Sequence, residues 1–568
     1  MSSLSNPSTS VTKAPNNEWW RSGVIYQIYP RSWQDSNGDG IGDLPGITRR
    51  LAHVAKLGAD AIWLSPIFKS PMKDFGYDVS DYNDVDPMFG TLADFKALVD
   101  RAHELGLKVI IDQVLSHCSD QHPWFKESRS SRDNPKADWF VWADAKDDGT
   151  PPNNWLSVFG GSSWQWDTRR RQYYLHNFLA SQPDLNFHNP EVQDALLASV
   201  KFWLEFGVDG YRLDAINFCF HDAELRSNPG IGEPDASNPT VASTNPYAWQ
   251  RHIYDRSRPD ALGFLQRVRS LVDQYPDTTM VGEIGDESGM LMVAQYTADF
   301  DKLHMGYCFD LLAPDGSATY VRGVIAKFER VAPTADKGWA CWALSNHDCA
   351  RLASRWSTGL DAAAQTAMVR AAAALQLSLR GSVCIYQGDE LGLPEADIAF
   401  EDMQDPYGIT MWPDFKGRDG CRTPFPWEAA AQDLGFSPAG TTVKPWLPVS
   451  PDHQALAVDV QEADPASTLQ AYRRLLAWRK TQPALLQGTL TLVGEDAQVL
   501  AFVREHAGER LLCAFNLSAQ PATFALDATT AVAEILSDSG ARGASLQGAT
   551  LAFEPFGVLF ARLASKAG

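Results

Sequence analysis

The sequence predicts an α/β fold class: a (β/α)8 TIM barrel, interrupted by a small inserted domain after strand three and followed by an antiparallel β domain. Three observations predict it. Eight short, bulky apolar runs recur along the chain, each ending in polar residues. Helical apolar patterns separate them, and strands alternating with helices imply βα units around a parallel sheet. From about Gly488 the pattern changes to short β-like runs. A length of 568 residues suits a barrel-sized body with a smaller domain attached.

Residues 1–17 are polar and hold no apolar core, so they read as a disordered tail, neither signal peptide nor membrane anchor. The first part of the barrel spans 18–117, with strands at Val24–Tyr29, Ala61–Ser65 and Lys108–Asp112 and a helix at Leu92–Leu105. Residues 118–187 are rich in Trp, Asp, Ser and Asn and form the inserted domain. The barrel resumes over 188–487, with helical patterns at Val192–Phe206 and Ala362–Leu379. Its five remaining strands are Val208–Asp214, Thr279–Glu283, Tyr307–Asp310, Ala340–Ser345 and Ser382–Gln387. Residues 488–568, with the runs LTLV, VLAFV, LLCAFNL and TLAFEPF, make the C-terminal β domain. The stretch from Ala215 to Thr278 is too long for a plain connection and includes a Pro/Asn/Ser-rich segment. Loops of that length are usually functional or disordered, and here the loop is placed over the barrel mouth.

A formal charge of −21 argues against nucleic acid and anionic membranes as partners, since both need clustered Lys and Arg. No apolar run approaches membrane-spanning length. Cys118, Cys219, Cys308, Cys341, Cys349, Cys384, Cys421 and Cys513 include no CxxC pair and sit mostly among apolar residues. Buried free thiols in a reducing, cytoplasmic setting are expected. No feature of the sequence specifies an oligomeric state.

The chemistry centres on Val208-Asp-Gly-Tyr-Arg-Leu-Asp214. Arg212 and Asp214 share a strand face, and a guanidinium beside a carboxylate keeps it ionised, as a nucleophile requires. The heptapeptide alone is equally compatible with a structural ion pair. Asp112 and His117 close strand three, Glu283 closes strand five, and Asn346-His347-Asp348 closes strand seven. Asp214, Glu283 and Asp348 therefore fall on one barrel rim. Converging carboxylates repel, so one is expected to stay protonated near neutrality. Glycoside hydrolysis by a nucleophile and a general acid needs such a set. Asp35, Asn37, Asp39 and Asp43, with the Ile41 carbonyl between them, alternate oxygen donors with glycines. That spacing suits a structural calcium, or magnesium, and is also found in plain Asn-Gly and Asp-Gly turns.

These stretches resemble the α-amylase superfamily of glycoside hydrolases (family 13), in the order DxVxxH, GxRxD, E and NHD. Gln182-Pro-Asp-Leu-Asn186 and Arg418-Asp-Gly-Cys-Arg-Thr-Pro-Phe-Pro-Trp427 resemble markers of its α-glucosidase and oligo-1,6-glucosidase branch. The resemblance implies Asp214 as nucleophile, Glu283 as acid/base, and Asp348 as the group holding the sugar's 2- and 3-hydroxyls. It implies that His117 and His347 bind hydroxyls, that Tyr77 stacks under the glucose, and that Asp74 and Arg422 pair to close the pocket's far end. Small α-glucosides and hydroxyl acceptors are then the partners. An exo-acting, retaining α-glucosidase with transglucosylation is the implied activity.

Two positions depart from the pattern. Ser116 precedes His117 where relatives carry Asn, which bears on local loop support. Ala215 follows the nucleophile where α-1,6-acting relatives tend to carry Val, which favours α-1,4 substrates such as maltose. Oligo-1,6-glucosidase, sucrose isomerase and trehalose synthase are the alternatives within the class. Outside it stands a non-catalytic, transporter-heavy-chain-like barrel, disfavoured by the complete acid set and the lack of a spanning segment.

Overall fold

A computed structural model describes residues 18–235 and 239–564. The expected N-terminal tail, 1–17, lies outside the described residues. Eight parallel strands form the central sheet: β1 (Val24–Ile28), β2 (Ala61–Leu64), β3 (Lys108–Val114), β4 (Gly210–Asp214), β5 (Thr279–Ile284), β6 (Met305–Cys308), β7 (Cys341–Ala343) and β8 (Ser382–Tyr386). Their order is β6-β5-β4-β3-β2-β1-β8-β7. A parallel bridge from Gly306 to Ala340 joins β6 to β7 and closes the barrel.

All eight predicted strands exist, and β6 shows the largest displacement. It starts two residues early, because Phe309 N-caps a 3-10 turn at Asp310–Leu312 and the chain leaves the sheet there. The helices follow their predicted apolar patterns closely, at Leu92–Glu104, Pro190–Phe206 and Ala362–Gln376. The first is fixed at its start by a reciprocal cap between Thr91 and Asp94, which contributes about 1 kcal/mol. The second begins on the Asn189 cap with Pro190 behind it and ends at Gly207, whose φ of 110° favours glycine.

Side-chain alternation divides the core into two shells. Tyr26, Ile62, Ile111, Leu213 and Ile385 point outward into the layer between sheet and helices. Ile25, Trp63, Ile110, Val281, Met305 and Cys384 point inward and fill the barrel. The inward parity carries on past the last apolar residue of several strands, and there it delivers charged groups. Gly210 is required by close approach: a Cβ on it would lie 2.1 Å from the Thr279 carbonyl oxygen, and its φ is +153°.

Between β3 and β4, short strands at Trp142–Ala143, Gln172–Leu175 and Trp164–Asp167 make a small antiparallel sheet. Bridges His117–Asp184 and Phe140–Leu185 tie its two ends together beside the barrel mouth. After the barrel come a five-stranded and a three-stranded antiparallel sheet, which share a core of Val499, Leu512, Phe524 and Leu551. The opposite face of the larger sheet, with Phe502, Leu511 and Phe515, packs into the main core. Cys118, Cys219, Cys341, Cys349, Cys384, Cys421 and Cys513 are buried and free. The side chain of Cys308 lies outside the described residues. Among the described residues no helix is long and apolar enough to cross a membrane.

Candidate active site

Strand register assembles the site. Asp112 on β3 faces Arg212 on β4, and Glu283 on β5 faces Tyr307 on β6. Paired residues of parallel strands project to the same face, so all four point into the barrel mouth together with Asp214. Arg212 is fully buried and serves three carboxylates. Its Nη1 donates to Asp112 Oδ1 at 2.8 Å and to Asp214 Oδ1 at 2.5 Å, and its Nη2 lies 2.6 Å from Glu283 Oε2. The Ala215 N–H also donates to Glu283 Oε2, at 3.1 Å, from a left-handed backbone with φ 39°. The Tyr307 hydroxyl donates to Glu283 Oε1 at 2.9 Å and accepts from Arg212 Nη2 at 3.2 Å.

Burial pushes the Asp214 and Glu283 carboxyls each up to about 7, against the pull of Arg212. Burial likewise raises Asp112, to about 6. One guanidinium cannot neutralise all three, so Asp214 and Glu283 share a proton near neutrality, and that proton belongs to the pair. The direction of both shifts is the one expected of converging rim carboxyls. Asp348 behaves oppositely. Burial works against its ionisation, yet Asp348, with His347 beside it and Arg418 and Arg422 paired to it, is held well below the usual carboxylate range. Burial also keeps the His347 imidazole neutral, so the two arginines supply the positive charge that Asp348 needs.

Tyr77 and His347 lie stacked, with ring centroids 5.5 Å apart, and the Tyr77 hydroxyl is 2.5 Å from His347 Nε2. That hydroxyl also donates to Asp112 Oδ2 at 3.2 Å, so strands three and seven are joined through one phenol. The Gln27 side-chain amide sits 2.7 Å from His347 Nδ1. His117 is held neutral by burial, its pKa lowered to about 4, and its Nε2 is 3.1 Å from the Tyr77 carbonyl. The Ser116 hydroxyl is 2.9 Å from His117 Nδ1, so the departure at Ser116 still orients the imidazole.

The expected Asp74–Arg422 pair is corrected by the structure. Asp74 pairs with Arg418, Nη2 to Oδ1 at 2.9 Å, while Arg422 binds Asp348 Oδ1 at 2.7 Å and the His347 carbonyl at 2.6 Å. The segment carries two arginines four residues apart, and the turn at Asp419–Cys421 aims them at different carboxylates. Asp405 completes the arrangement, holding Arg418 through both of its oxygens at 2.9 and 3.1 Å. Gln182 donates to Asp74 Oδ2 at 3.0 Å and so brings the inserted domain to this wall.

One cavity contains Asp74, Tyr77, His117, Asp214, Glu283, Asp348 and Arg418. The cavity also has an aromatic lining, with Phe159, Phe178, Phe218 and Phe309, and includes Ala215, Thr240 and Arg256. Thr240 and Arg256 belong to the long connection after β4, whose described part therefore does reach the barrel mouth. It is tethered there: Ala242 N–H and Asn245 Nδ2 each donate to the Tyr407 hydroxyl at 3.1 Å. Sequence reasoning missed Tyr307, Arg418, Asp405 and the aromatic lining. Tyr307 had a usable signal, since it is the inward neighbour of Glu283 on the next strand.

The candidate calcium loop is laced by backbone amides. Asp35 accepts from the Asn37, Gly38 and Gly40 amides at 2.7–3.1 Å, and Asp39 accepts from Ile41 N–H at 2.9 Å. Asp43 caps the following helix through Gly46 N–H at 2.7 Å and accepts from Ser36 N–H at 3.0 Å. Among the described residues no group of three His, Cys, Asp or Glu side chains is gathered as a metal site. In this arrangement the carboxylates form Asx turns and a helix cap.

Residues 27–488 match the family described as Alpha amylase, catalytic domain, and residues 490–559 match Maltogenic Amylase, C-terminal domain. A protein of Rhizobium meliloti named probable alpha-glucosidase is 59% identical over 91% of this chain and 93% of its own. An oligo-1,6-glucosidase of Parageobacillus thermoglucosidasius is 35% identical over 89% of this chain and 92% of its own. Among solved structures, the alpha-glucosyl transfer enzyme XgtA superposes with a TM-score of 0.91 at 55% identity, covering 96% of this chain and 99% of that one. The trehalulose synthase MutB from Pseudomonas mesoacidophila MX-45 gives 0.86 at 33% identity, covering 96% and 100%. With its barrel, inserted domain, C-terminal sheets and clustered rim carboxylates all accounted for by one family, the chain belongs to the alpha-amylase family.

Proposed function

We propose that the protein is an exo-acting, retaining α-glucosidase. It releases α-glucose from the non-reducing end of short α-1,4-glucosides such as maltose and transfers glucose to alcohol or sugar hydroxyls as well as to water. The observation that carries the reading is the shared clamp of Arg212 on Asp214 and Glu283. Carboxyls held by neighbouring nitrogens of one guanidinium are close neighbours, as a double displacement needs, and inverting chemistry needs the wider gap. Asp214 attacks the anomeric carbon while Glu283 protonates the departing oxygen. A β-glucosyl ester on Asp214 results. Glu283, now a carboxylate, takes the proton of an incoming hydroxyl, which attacks the anomeric carbon, expels the Asp214 carboxylate and restores the α configuration. Asp348, ionised by Arg418 and Arg422, binds ring hydroxyls and stabilises positive charge developing at the anomeric centre. Tyr77, stacked on His347, lies under the sugar, and the Asp74–Arg418–Asp405 ion pairs make the blind end.

The aromatic lining of Phe178, Phe218 and Phe309 supports an acceptor side that takes organic alcohols, and similarity to a glucosyl transfer enzyme supports transfer. Proton NMR with maltose, isomaltose and sucrose in turn tests the proposal. Fastest release of α-glucose from maltose is expected. Isomaltose preference would overturn the linkage assignment based on Ala215, and isomerised sucrose would make the protein an isomerase.

A structural calcium or magnesium at Asp35, Asn37, Asp39, Ile41 and Asp43 is also proposed, on the donor spacing alone. A rise in Tm with millimolar calcium, reversed by a chelator, is expected; an unchanged Tm removes the ion from the account. Buried free thiols support a cytoplasmic location, which cell fractionation checks.

A further inference from the structure

A second cleft lies far from the barrel mouth in the chain's architecture, where the barrel helices Ala362–Gln376 and Thr468–Arg479 meet the C-terminal domain. Three guanidinium groups line it: Arg370, Arg474 and Arg542. None of them forms an ion pair within 4.0 Å among the described residues, in a chain with 70 acidic and 49 basic side chains. Most other arginines of this protein do find a carboxylate, so a triple exception in one place calls for a physical cause.

The arginines are also positioned. Arg370 Nη2 donates to the Ala466 carbonyl at 2.5 Å, and Arg474 Nη1 donates to the adjacent Pro465 carbonyl at 2.9 Å. One turn thereby anchors both side chains by one nitrogen each and leaves other donors of the fork free to bind. Arg370 Nε is buried without a partner. The third group, Arg542, lines the same cleft between Gly540 and Gly543, whose positive φ values of 77° shape the turn that carries it. Burial, and then the nearby charges of Arg474 and Arg542, lower the pKa of Arg370. Like charges are therefore held together at a cost that a bound anion would relieve. The floor is apolar and includes Tyr472, Leu475, Phe556 and Val558.

We propose that this cleft binds a phosphate oxyanion, free or as the monoester of a small organic molecule, between Arg370, Arg474 and Arg542. Planar guanidinium forks match phosphate oxygens in pairs, and the apolar floor gives an ester's organic part a surface to cover. Glu554, the one acidic side chain lining the cleft, faces the same space and disfavours larger polyanions.

Calorimetric titration of the full-length protein with inorganic phosphate and with phenyl phosphate tests the proposal. Binding of at least one probe is expected. It should weaken by about tenfold or more in Arg542→Gln, whose side chain is exposed, and in Arg370→Gln/Arg474→Gln, with circular dichroism checking that both variants fold. The kcat/KM on maltose should stay unchanged in both variants. Equal affinity for the two probes would assign the free ion, and tighter phenyl phosphate would assign a monoester. No heat with either probe, or binding unaffected by both variants, would overturn the site.

Discussion

Asp214→Ala is expected to lower kcat on maltose by at least about 10⁴-fold, close to 5.5 kcal/mol of lost transition-state stabilisation. The side chain makes the bond to the anomeric carbon, and no neighbour can replace it. Asp112 and Glu283 are nearby carboxylates, but Arg212 Nη1 holds Asp112 on strand three at 2.8 Å and Glu283 is needed on the leaving oxygen. The variant has a second readout that a merely unfolded protein could not give. With p-nitrophenyl α-glucoside and azide, the emptied side accepts azide in place of the carboxylate, and the product is β-glucosyl azide. Removing one of three acids around Arg212 lowers the local negative charge, so the fold should survive, which circular dichroism checks. An α-glucosyl azide product, or near-normal turnover, would remove Asp214 from the nucleophile's role.

Glu283→Gln is expected to reduce kcat on maltose by about 10³-fold and to affect p-nitrophenyl α-glucoside much less in the first step. A phenolate leaves without a proton, whereas a sugar alkoxide does not. With Glu283→Ala, azide should give α-glucosyl azide, the opposite anomer to that from Asp214→Ala. The pH profile follows from the same pair. Activity needs Asp214 ionised and Glu283 protonated, so kcat/KM falls at low pH as Asp214 gains a proton and at high pH as Glu283 loses one. Burial raises both groups, so both limbs lie above the ordinary carboxylate range of about 4, with the alkaline limb set by a group pushed up to about 7. Glu283→Gln should erase the alkaline limb. Tyr307→Phe removes a donor to the charged form of Glu283, which raises that group's pKa and moves the alkaline limb to higher pH. A limb that stays put in Tyr307→Phe would show that the phenol does not tune the acid.

The barrel was legible because each strand ends an apolar run at the same point where its chemistry begins, and period-two alternation then sets direction. Asp112, Arg212, Asp214 and Glu283 could be placed on one rim from that rule alone. What alternation cannot reveal is how long, irregular segments return to the rim. Arg418 and Arg422 both follow β8 in a stretch of 3-10 turns, where no periodicity tells which guanidinium meets which carboxylate. The pairing with Asp74 went to Arg418 because Asp405, some dozen residues before it, grips that guanidinium with both oxygens. Strand six was displaced for a related reason: its end is set by the 3-10 turn after it, a local choice weaker than the apolar pattern. The oxygen-rich loop at Asp35–Asp43 has an alternation that suits both a cation and a chain of Asx turns.

The wall made by Asp74, Arg418 and Asp405 has a bearing on how successive bonds of one chain are cut. Arg418 locks together three segments distant in sequence, through Asp74 after β2, Asp348 after β7 and Asp405 after β8. A polymer cannot thread past such a stop. After each cleavage the freed glucose must leave by the route through which the substrate arrived, and the shortened chain must let go first. On the proposed exo-acting reading, degradation of a maltooligosaccharide is expected to be distributive, with intermediates of every length accumulating in solution, one residue shorter at each encounter.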